Sequence, residues 1–162
     1  MSKDAGKRIA LALGANLGQP EVTFQRACEM LEAGGVSGLQ MASCLQSEPV
    51  GCHPGTPDFT NSAVIGSWNG TAQQLLELTQ SIEERLGRPR EHDSQGSRLI
   101  DIDILLVDDL ILDSPKLRIP HPRMCERLFV LQPLAEIAAD WIVPTSRKTV
   151  QELLWERVQG GA

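Results

Sequence analysis

Two aspartates separated by one residue are the feature of the sequence best suited to chemistry. They stand in the run Ile100-Asp-Ile-Asp-Ile104. Alternate side chains of a β-strand point to opposite faces, so Asp101 and Asp103 share one face while the isoleucines enter the core. Carboxylates on a rigid strand suit Mg²⁺, which typically takes one or two carboxylates together with substrate phosphates and water. The alternative is the solvated polar face of an edge strand, because such alternation is ordinary in sheets.

A group of arginines precedes this pair of aspartates. Its members are Arg85, Arg88, Arg90 and Arg98. Guanidinium groups match phosphate oxygens, so arginines beside a metal-binding carboxylate pair favour phosphoryl transfer. Acidic residues occupy the same stretch, and a salt-bridged helix end is the alternative interpretation. The sequence has neither a Walker A motif nor G-x-G-x-x-G, so Gly14 and Gly18 are interpreted as turn residues.

Composition and charge narrow the classes of function. The chain has 162 residues, 41% of them hydrophobic and 22% charged, with a formal net charge of −6. This length predicts a single domain over residues 1–162, with a flexible polar N-terminal segment over residues 1–8. The negative charge argues against a nucleic-acid partner, since sequence-independent binding needs a basic face. No apolar run resembles a signal peptide or reaches the roughly 20 residues of a membrane span. We expect a cytoplasmic monomer with no membrane partner.

The cysteines offer no metal site. Cys28, Cys44, Cys52 and Cys125 form no C-x-x-C pair and have no histidines at zinc-finger spacing. We interpret them as buried or idle thiols in a reducing compartment.

Hydrophobic patterns and turn residues predict the elements that position these groups. Strands are predicted over residues 9–13, 41–47, 59–68 and 99–107, with a short one over 110–112. Helices are predicted over residues 20–32, 71–87, 128–139 and 149–158, the third interrupted at Pro133. Capping boxes open the second and fourth helices, at Thr71 and Thr149. The order β-α-β-β-α-β with a helical tail predicts an α+β sandwich, whose largely antiparallel sheet is covered by helices on one face.

Six segments, taken in order over residues 9–144, resemble one protein family. They are Leu13-Gly-Ala-Asn-Leu-Gly18; Glu48-Pro-Val-Gly51 with Pro57-Asp-Phe-Thr-Asn-Ser-Ala-Val64; Gln80-Ser-Ile-Glu83; Gly87-Arg88; Arg98-Leu-Ile-Asp-Ile-Asp-Ile-Leu105; and Pro120-His-Pro-Arg-Met124 with Glu126-Arg-Leu-Phe-Val-Leu131. On these segments the chain resembles 6-hydroxymethyl-7,8-dihydropterin pyrophosphokinase of folate biosynthesis. The resemblance implies a ferredoxin-like α+β sandwich. It also implies transfer of the β,γ-pyrophosphoryl group of ATP to the pterin hydroxymethyl oxygen, with release of AMP.

The resemblance also implies a role for individual positions. Asp101 and Asp103 would hold two Mg²⁺ ions that bridge the phosphates of the co-substrate ATP, and Arg88 and Arg98 would stabilise charge on the transferring group. The positions that match the nucleotide site are Gln80, Glu83, Arg98 and His121. Those that match the pterin site are Ser47, Pro49, Val50, Phe59, Asn61, Arg127 and Phe129. Among these, Phe59 and Phe129 would sandwich the pterin ring and Asn61 would bind its edge.

One loop departs from the family pattern. The family's loop usually reads Arg-Trp-Gly-Pro-Arg, whereas this chain has Ser94-Gln-Gly-Ser-Arg98. Gln95 offers less apolar area than tryptophan, and Ser97 leaves more backbone freedom than proline. We therefore expect the loop to close less favourably over ATP, which lowers catalytic efficiency more than it disturbs folding.

Two other functions stay open from the sequence. One is a catalytically silent pterin- or nucleotide-binding module on the same fold, against which the retained aspartate and arginine pairs count. The other is a nucleotide-sugar transferase that uses its D-x-D motif on Mn²⁺. The short chain without a nucleotide-binding β-α-β unit counts against it.

Overall fold

The computed structural model describes residues 6–47, 58–87 and 99–160. Its main sheet contains β1 (Lys7–Ala15), β2 (Ser37–Met41), β3 (Leu45–Ser47), β4 (Phe59–Trp68) and β5 (Asp101–Val107). The strand order is β2-β4-β1-β5, β3 also pairs with β4, and every pairing is antiparallel. This is the strand order of a ferredoxin-like sheet, and it confirms the predicted α+β class.

Four helices and two small hairpins complete the described structure. The helices are α1 (Pro20–Ala33), α2 (Ala72–Arg85), α3 (Leu128–Ala138) and α4 (Val150–Gly160), and a short 3₁₀ turn (Met124–Glu126) precedes α3. The hairpins pair β6 (Leu112–Asp113) with β7 (Arg118–Ile119), and β8 (Ile142–Val143) with β9 (Lys148–Thr149). No helix in the described ranges is long and apolar enough to cross a membrane.

The helices cover both faces of the sheet, so the prediction of a single covered face is wrong. α1 and α2 pack on one face, where Phe24 and Ile82 meet the larger side chains of β1. α3 and α4 pack on the other face, where Leu134 and Leu153 meet Ala10. A central strand buried on both faces carries apolar residues at every position, which explains the uninterrupted apolar run of residues 9–13.

Three further predictions about the elements need correction. The strand predicted over residues 41–47 is two strands, β2 and β3, and both pair with β4. α3 runs through Pro133 without a break; Leu131 and Leu134 on either side are fully buried, and this packing holds the helix. Lys7 and Arg8, predicted to be part of a flexible segment, belong to β1 and pair with β4.

Local signals at the helix ends are confirmed. At the start of α2, the Gln74 N–H donates to Thr71 Oγ1 over 3.0 Å and the Thr71 N–H donates to Gln74 Oε1 over 2.9 Å. Thr149 and Glu152 form the same reciprocal pair at the start of α4. Gly87 ends α2 with a φ of 104°, and a Cβ there would lie 2.9 Å from Leu99 Cδ1. The turn at Gly87 therefore fixes where α2 stops beside the residues that lead into β5.

Candidate active site

A cleft of about 580 Å³ lies on the face of the sheet that α3 and α4 cover. It brings together seven residues that the sequence singled out: Ser47, Phe59, Asn61, Asp101, Asp103, Arg127 and Phe129. These residues come from β3, β4, β5 and the start of α3. The fold therefore gathers the predicted pterin positions that the structure describes, together with the two aspartates, into one site.

Small residues on the central strand β1 form the floor of this cleft. Gly14 pairs with Asn61 on one side and Asp101 on the other, and Ala12 pairs with Asp103. Because Gly14 has no side chain, the space between the Asn61 amide and the Asp101 carboxylate stays open. Gly14 was predicted to be a turn residue, but it lies within β1. Gly18 does stand in a turn, with a φ of 65°.

Asn61 is buried, and its neighbours determine how it faces the cleft. Its Nδ2 donates to Ser47 Oγ over 2.7 Å and to the Leu45 carbonyl over 3.3 Å. These two bonds occupy the amide hydrogens, which leaves Oδ1 as the atom directed toward Gly14. Asn61 therefore presents a hydrogen-bond acceptor to a ligand on the cleft floor.

Two half-buried phenylalanine rings line the same cleft. Phe59 is the first residue of β4 and Phe129 is the second residue of α3. The Arg127 guanidinium carbon lies 5.5 Å from the centre of the Phe129 ring. The third phenylalanine of the chain, Phe24, is fully buried in the core. Flat rings that stand at the edge of a cleft can stack on a flat ligand.

The aspartates lie as the alternating pattern predicts. Ile100, Ile102 and Ile104 are 0%, 5% and 4% exposed in the core, while Asp101 and Asp103 both line the cleft. Within the described residues no group of three or more histidine, cysteine or acidic residues forms a metal site. A cation held by these two carboxylates would therefore take its other ligands from substrate phosphates and water, which is how Mg²⁺ is usually bound.

A second groove of about 290 Å³ meets the cleft at Asp103. It is lined by Lys116, Arg118 and His121, among others, and the Arg118 Nε lies 3.1 Å from Asp113 Oδ1. Burial lowers the pKa of His121, and the nearby Asp103 carboxylate opposes this shift. His121 Nδ1 accepts the Arg123 backbone N–H over 3.1 Å, so the neutral ring carries its hydrogen on Nε2. This groove offers donors to an anionic ligand.

Two of the predicted nucleotide positions lie on α2. Gln80 is exposed and is not among the described residues that line either opening. Glu83 is only 9% exposed, and its Oε2 accepts the Ile102 backbone N–H over 2.7 Å. The predicted residues Pro49, Val50, Arg88 and Arg98 lie outside the described residues.

Comparison with known proteins identifies the family. The family model for 7,8-dihydro-6-hydroxymethylpterin-pyrophosphokinase matches residues 10–139. The chain belongs to this family. A 2-amino-4-hydroxy-6-hydroxymethyldihydropteridine pyrophosphokinase of Bacillus subtilis is 40% identical over 154 residues, which cover 93% of this chain and 91% of the relative. Its counterpart in Pseudomonas aeruginosa is 37% identical over 142 residues, 87% of this chain and 86% of the relative.

Solved structures agree on the fold of the pyrophosphokinase family. The crystal structure of wild-type Plasmodium falciparum HPPK-DHPS with pteroate superposes with a TM-score of 0.74 at 13% identity. The match covers 98% of this chain and 45% of the Plasmodium chain, so the protein spans less than half of that relative. The family model and the sequence relatives confirm the family resemblance of the six segments, and the solved structure agrees with the fold.

Three charged residues of this pyrophosphokinase cleft were not predicted. Arg123 and Glu126 stand just before α3, and Arg157 comes from α4. Arg123 and Glu126 neighbour the predicted Arg127, so their charge was a usable signal. Nothing in the sequence pointed to Arg157, because only the packing of α4 against α3 brings it to the cleft.

Proposed function

We propose that this protein transfers the β,γ-pyrophosphoryl group of ATP to the hydroxymethyl oxygen of 6-hydroxymethyl-7,8-dihydropterin, with AMP as the second product, in folate biosynthesis. Family membership supports the reaction. The observation that carries it is a single cleft that is lined by two phenylalanine rings and two strand aspartates and has Gly14 in its floor. A cytoplasmic location, a monomeric state and the lack of a nucleic-acid partner stay predictions from the sequence.

The pterin occupies the part of the cleft between Phe59 and Phe129. The two rings stack on its faces, and each aromatic pair contributes roughly 0.5–1.5 kcal/mol beyond area burial. Asn61 Oδ1 accepts a hydrogen from an N–H group at the pterin edge, because its own amide hydrogens are held by Leu45 and Ser47. Arg127 borders the Phe129 ring. Pro49 and Val50, which lie outside the described residues, complete the pocket by resemblance to the family.

Asp101 and Asp103 would hold Mg²⁺, with two ions expected from the resemblance. The metal would supply charge neutralisation and orientation for the phosphates of ATP. Both carboxylates stand on a strand whose alternate residues are buried in the core, so the face of the sheet from which they extend is fixed before any ligand binds. This preorganisation favours an in-line arrangement of the reacting oxygen and the β-phosphorus.

The triphosphate of ATP extends from Asp103 into the second groove. Lys116 and Arg118 provide positive charge there, and the His121 Nε2 hydrogen can donate to a phosphate or ribose oxygen. The resemblance would also place Gln80 and Glu83 in the nucleotide site, although neither is among the described residues that line the groove. Arg88 and Arg98, outside the described residues, would neutralise the transferring group and AMP.

The reaction itself is a displacement at phosphorus. The pterin hydroxymethyl oxygen forms a bond to the β-phosphorus while the bond from that phosphorus to the α,β-bridging oxygen breaks. The hydroxyl proton is lost to solvent or to a base, and AMP departs with the bridging oxygen. The protein's part is to hold the two reactants at the shared edge of the cleft and groove, where Asp103 lines both.

The nature of the products tests this function. Purified protein is incubated with ATP, Mg²⁺ and hydroxymethyl-dihydropterin, and nucleotides are separated by chromatography. AMP should accumulate only when the pterin is present, in equal amount with pterin diphosphate. Formation of ADP, or no nucleotide turnover, would contradict the proposal and favour a silent binding module.

The glycine floor gives a second test. A Cβ at Gly14 would lie 3.5 Å from Asn61 Oδ1, an ordinary contact, whereas the methyl groups of valine would fill the space beside it. We expect Gly14→Val to weaken pterin binding by at least about tenfold, or about 1.4 kcal/mol, and Gly14→Ala to have a smaller effect. Calorimetry with the pterin measures both variants. Equal affinity of Gly14→Val and the wild type would place the pterin elsewhere.

The loop over residues 94–98, whose sequence differs from the family pattern, lies outside the described residues and allows a gain-of-function test. We expect Gln95→Trp, alone or with Ser97→Pro, to raise kcat/KM for ATP while the melting temperature changes little, because the closed loop gains an apolar anchor. Steady-state kinetics with varied ATP measures the effect. If activity falls or stays the same, other residues close the site and the loop sequence is a tolerated variation.

A further inference from the structure

Glu83 is a buried carboxylate that contacts the backbone between the two aspartates. It lies in the last turn of α2, its side chain is directed at β5, and its Oε2 accepts the Ile102 N–H over 2.7 Å. Ile102 is the residue between Asp101 and Asp103. This N–H belongs to the peptide that joins Asp101 to Ile102, so the Glu83 carboxylate holds the backbone between the two cleft aspartates.

The position of β5 explains why this contact matters. β5 is at the end of the strand order and pairs, in the described part of the sheet, with β1 alone. In an antiparallel edge strand, alternate N–H groups point away from the neighbouring strand. A buried N–H without an acceptor is costly, and a charged acceptor forms a stronger bond than a neutral one. Glu83 occupies the place that the carbonyl of a further strand would take at Ile102.

Fixing the Ile102 peptide also fixes the side chains on either side of it. Asp101 and Asp103 reach the cleft on one face, while Ile102 anchors the opposite face in the core. A rotation of the intervening peptide would turn the two carboxylates relative to each other. Residues that orient metal ligands in this way typically change metal affinity by roughly 10–100-fold when they are removed.

We propose that Glu83 is a positioning residue whose hydrogen bond to Ile102 aligns Asp101 and Asp103 for their shared cation. The proposal rests on the proposed function, because it assigns the two aspartates to Mg²⁺. It goes beyond the nucleotide role that the resemblance implies: Glu83 is not among the described residues that line the cleft or the groove.

Two variants and a matched control test this role. Glu83→Ala removes the acceptor, and Glu83→Gln keeps a neutral acceptor oxygen of the same shape. Glu84→Gln is the control, because Glu84 is the next residue on α2 and is exposed. Three quantities are measured: the hydrogen-exchange rate of the Ile102 amide without metal, the affinity for Mn²⁺ by electron paramagnetic resonance, and the affinity for ATP in the presence of a chelator.

We expect Glu83→Ala to speed exchange at Ile102 and to weaken Mn²⁺ binding by at least about tenfold, while metal-free ATP binding stays unchanged. Glu83→Gln should fall between Glu83→Ala and the wild type, and Glu84→Gln should match the wild type. A melting curve shows whether Glu83→Ala folds. If it does not, the Mn²⁺ affinity of Glu83→Gln is compared with that of Glu84→Gln, and a weaker affinity of Glu83→Gln supports the proposal.

Two results would overturn the proposal. Wild-type Mn²⁺ affinity in Glu83→Gln and in any folded Glu83→Ala would mean that the hydrogen bond does not align the aspartates. A loss of metal-free ATP binding with unchanged Mn²⁺ affinity would make Glu83 a direct nucleotide contact. Failure of the proposed function would be a separate result, because that function is tested by AMP formation in the wild type. Hydrogen exchange at Ile102 and Mn²⁺ binding are measured without turnover.

Discussion

Replacing Asp101 or Asp103 by asparagine or alanine should lower kcat by roughly 10²–10⁴-fold, because metal-ion stabilisation of a transferring phosphate contributes several kcal/mol. Asparagine keeps the size of each side chain but removes the charge that binds the cation. Both side chains face the cleft, so the melting temperature of the metal-free variants should change little. Steady-state rates at saturating ATP and pterin, measured across a Mg²⁺ titration, give the effect.

A control separates the loss of a metal ligand from a general loss of negative charge. Asp109 is an exposed residue of the turn that follows β5, and Asp109→Asn removes the same charge away from the cleft. Its kcat and Mg²⁺ dependence should equal those of the wild type. A near-normal kcat for either cleft variant at ordinary Mg²⁺ would remove these aspartates from the metal site.

The sequence predicts those features of the site that depend on local periodicity, such as the direction of side chains along a strand. Alternation along β5 was enough to place Asp101 and Asp103 on one face, since a strand allows no other arrangement. The capping boxes at Thr71 and Thr149 were equally local and are confirmed. The pterin positions came from the family resemblance, and the structure brings Phe59 and Phe129 to one cleft.

The parts that could not be predicted depend on contacts between distant elements. Gly14 was mistaken for a turn residue because sequence alone does not show that a strand continues through a glycine to open space for a ligand. Glu83 gives no local signal, since its bond to Ile102 exists only once α2 packs beside β5. The prediction that helices cover one face of the sheet came from the order of the elements, which does not show that α3 and α4 pack on the other face.

Truncating either ring of the pterin clamp should weaken pterin binding by about 2–4 kcal/mol, or roughly 30–1,000-fold. Phe59→Ala and Phe129→Ala each remove apolar contact area and one stacking face. Phe59→Leu and Phe129→Leu keep most of the apolar area, so their smaller losses isolate the stacking contribution. Calorimetry with the pterin and with ATP should show that ATP affinity changes little, because neither ring lines the groove assigned to the triphosphate. Equal losses for both ligands would indicate a structural role for the two phenylalanines.

The double variant distinguishes a clamp from two independent contacts. If the pterin lies between the rings, removing one frees the ligand to shift away from the other, and the second truncation then costs less than it does alone. The loss in Phe59→Ala/Phe129→Ala should therefore be smaller than the sum of the single losses, by the 0.5–3 kcal/mol or so typical of groups that share a partner. Strict additivity would mean that the rings contact separate parts of the ligand.

The two rings are carried by different elements, β4 and α3, so their coupling must pass through the bound pterin or through the packing of α3 on the sheet. Melting curves of the ligand-free variants separate these routes: additive changes in ligand-free stability together with non-additive pterin binding assign the coupling to the ligand.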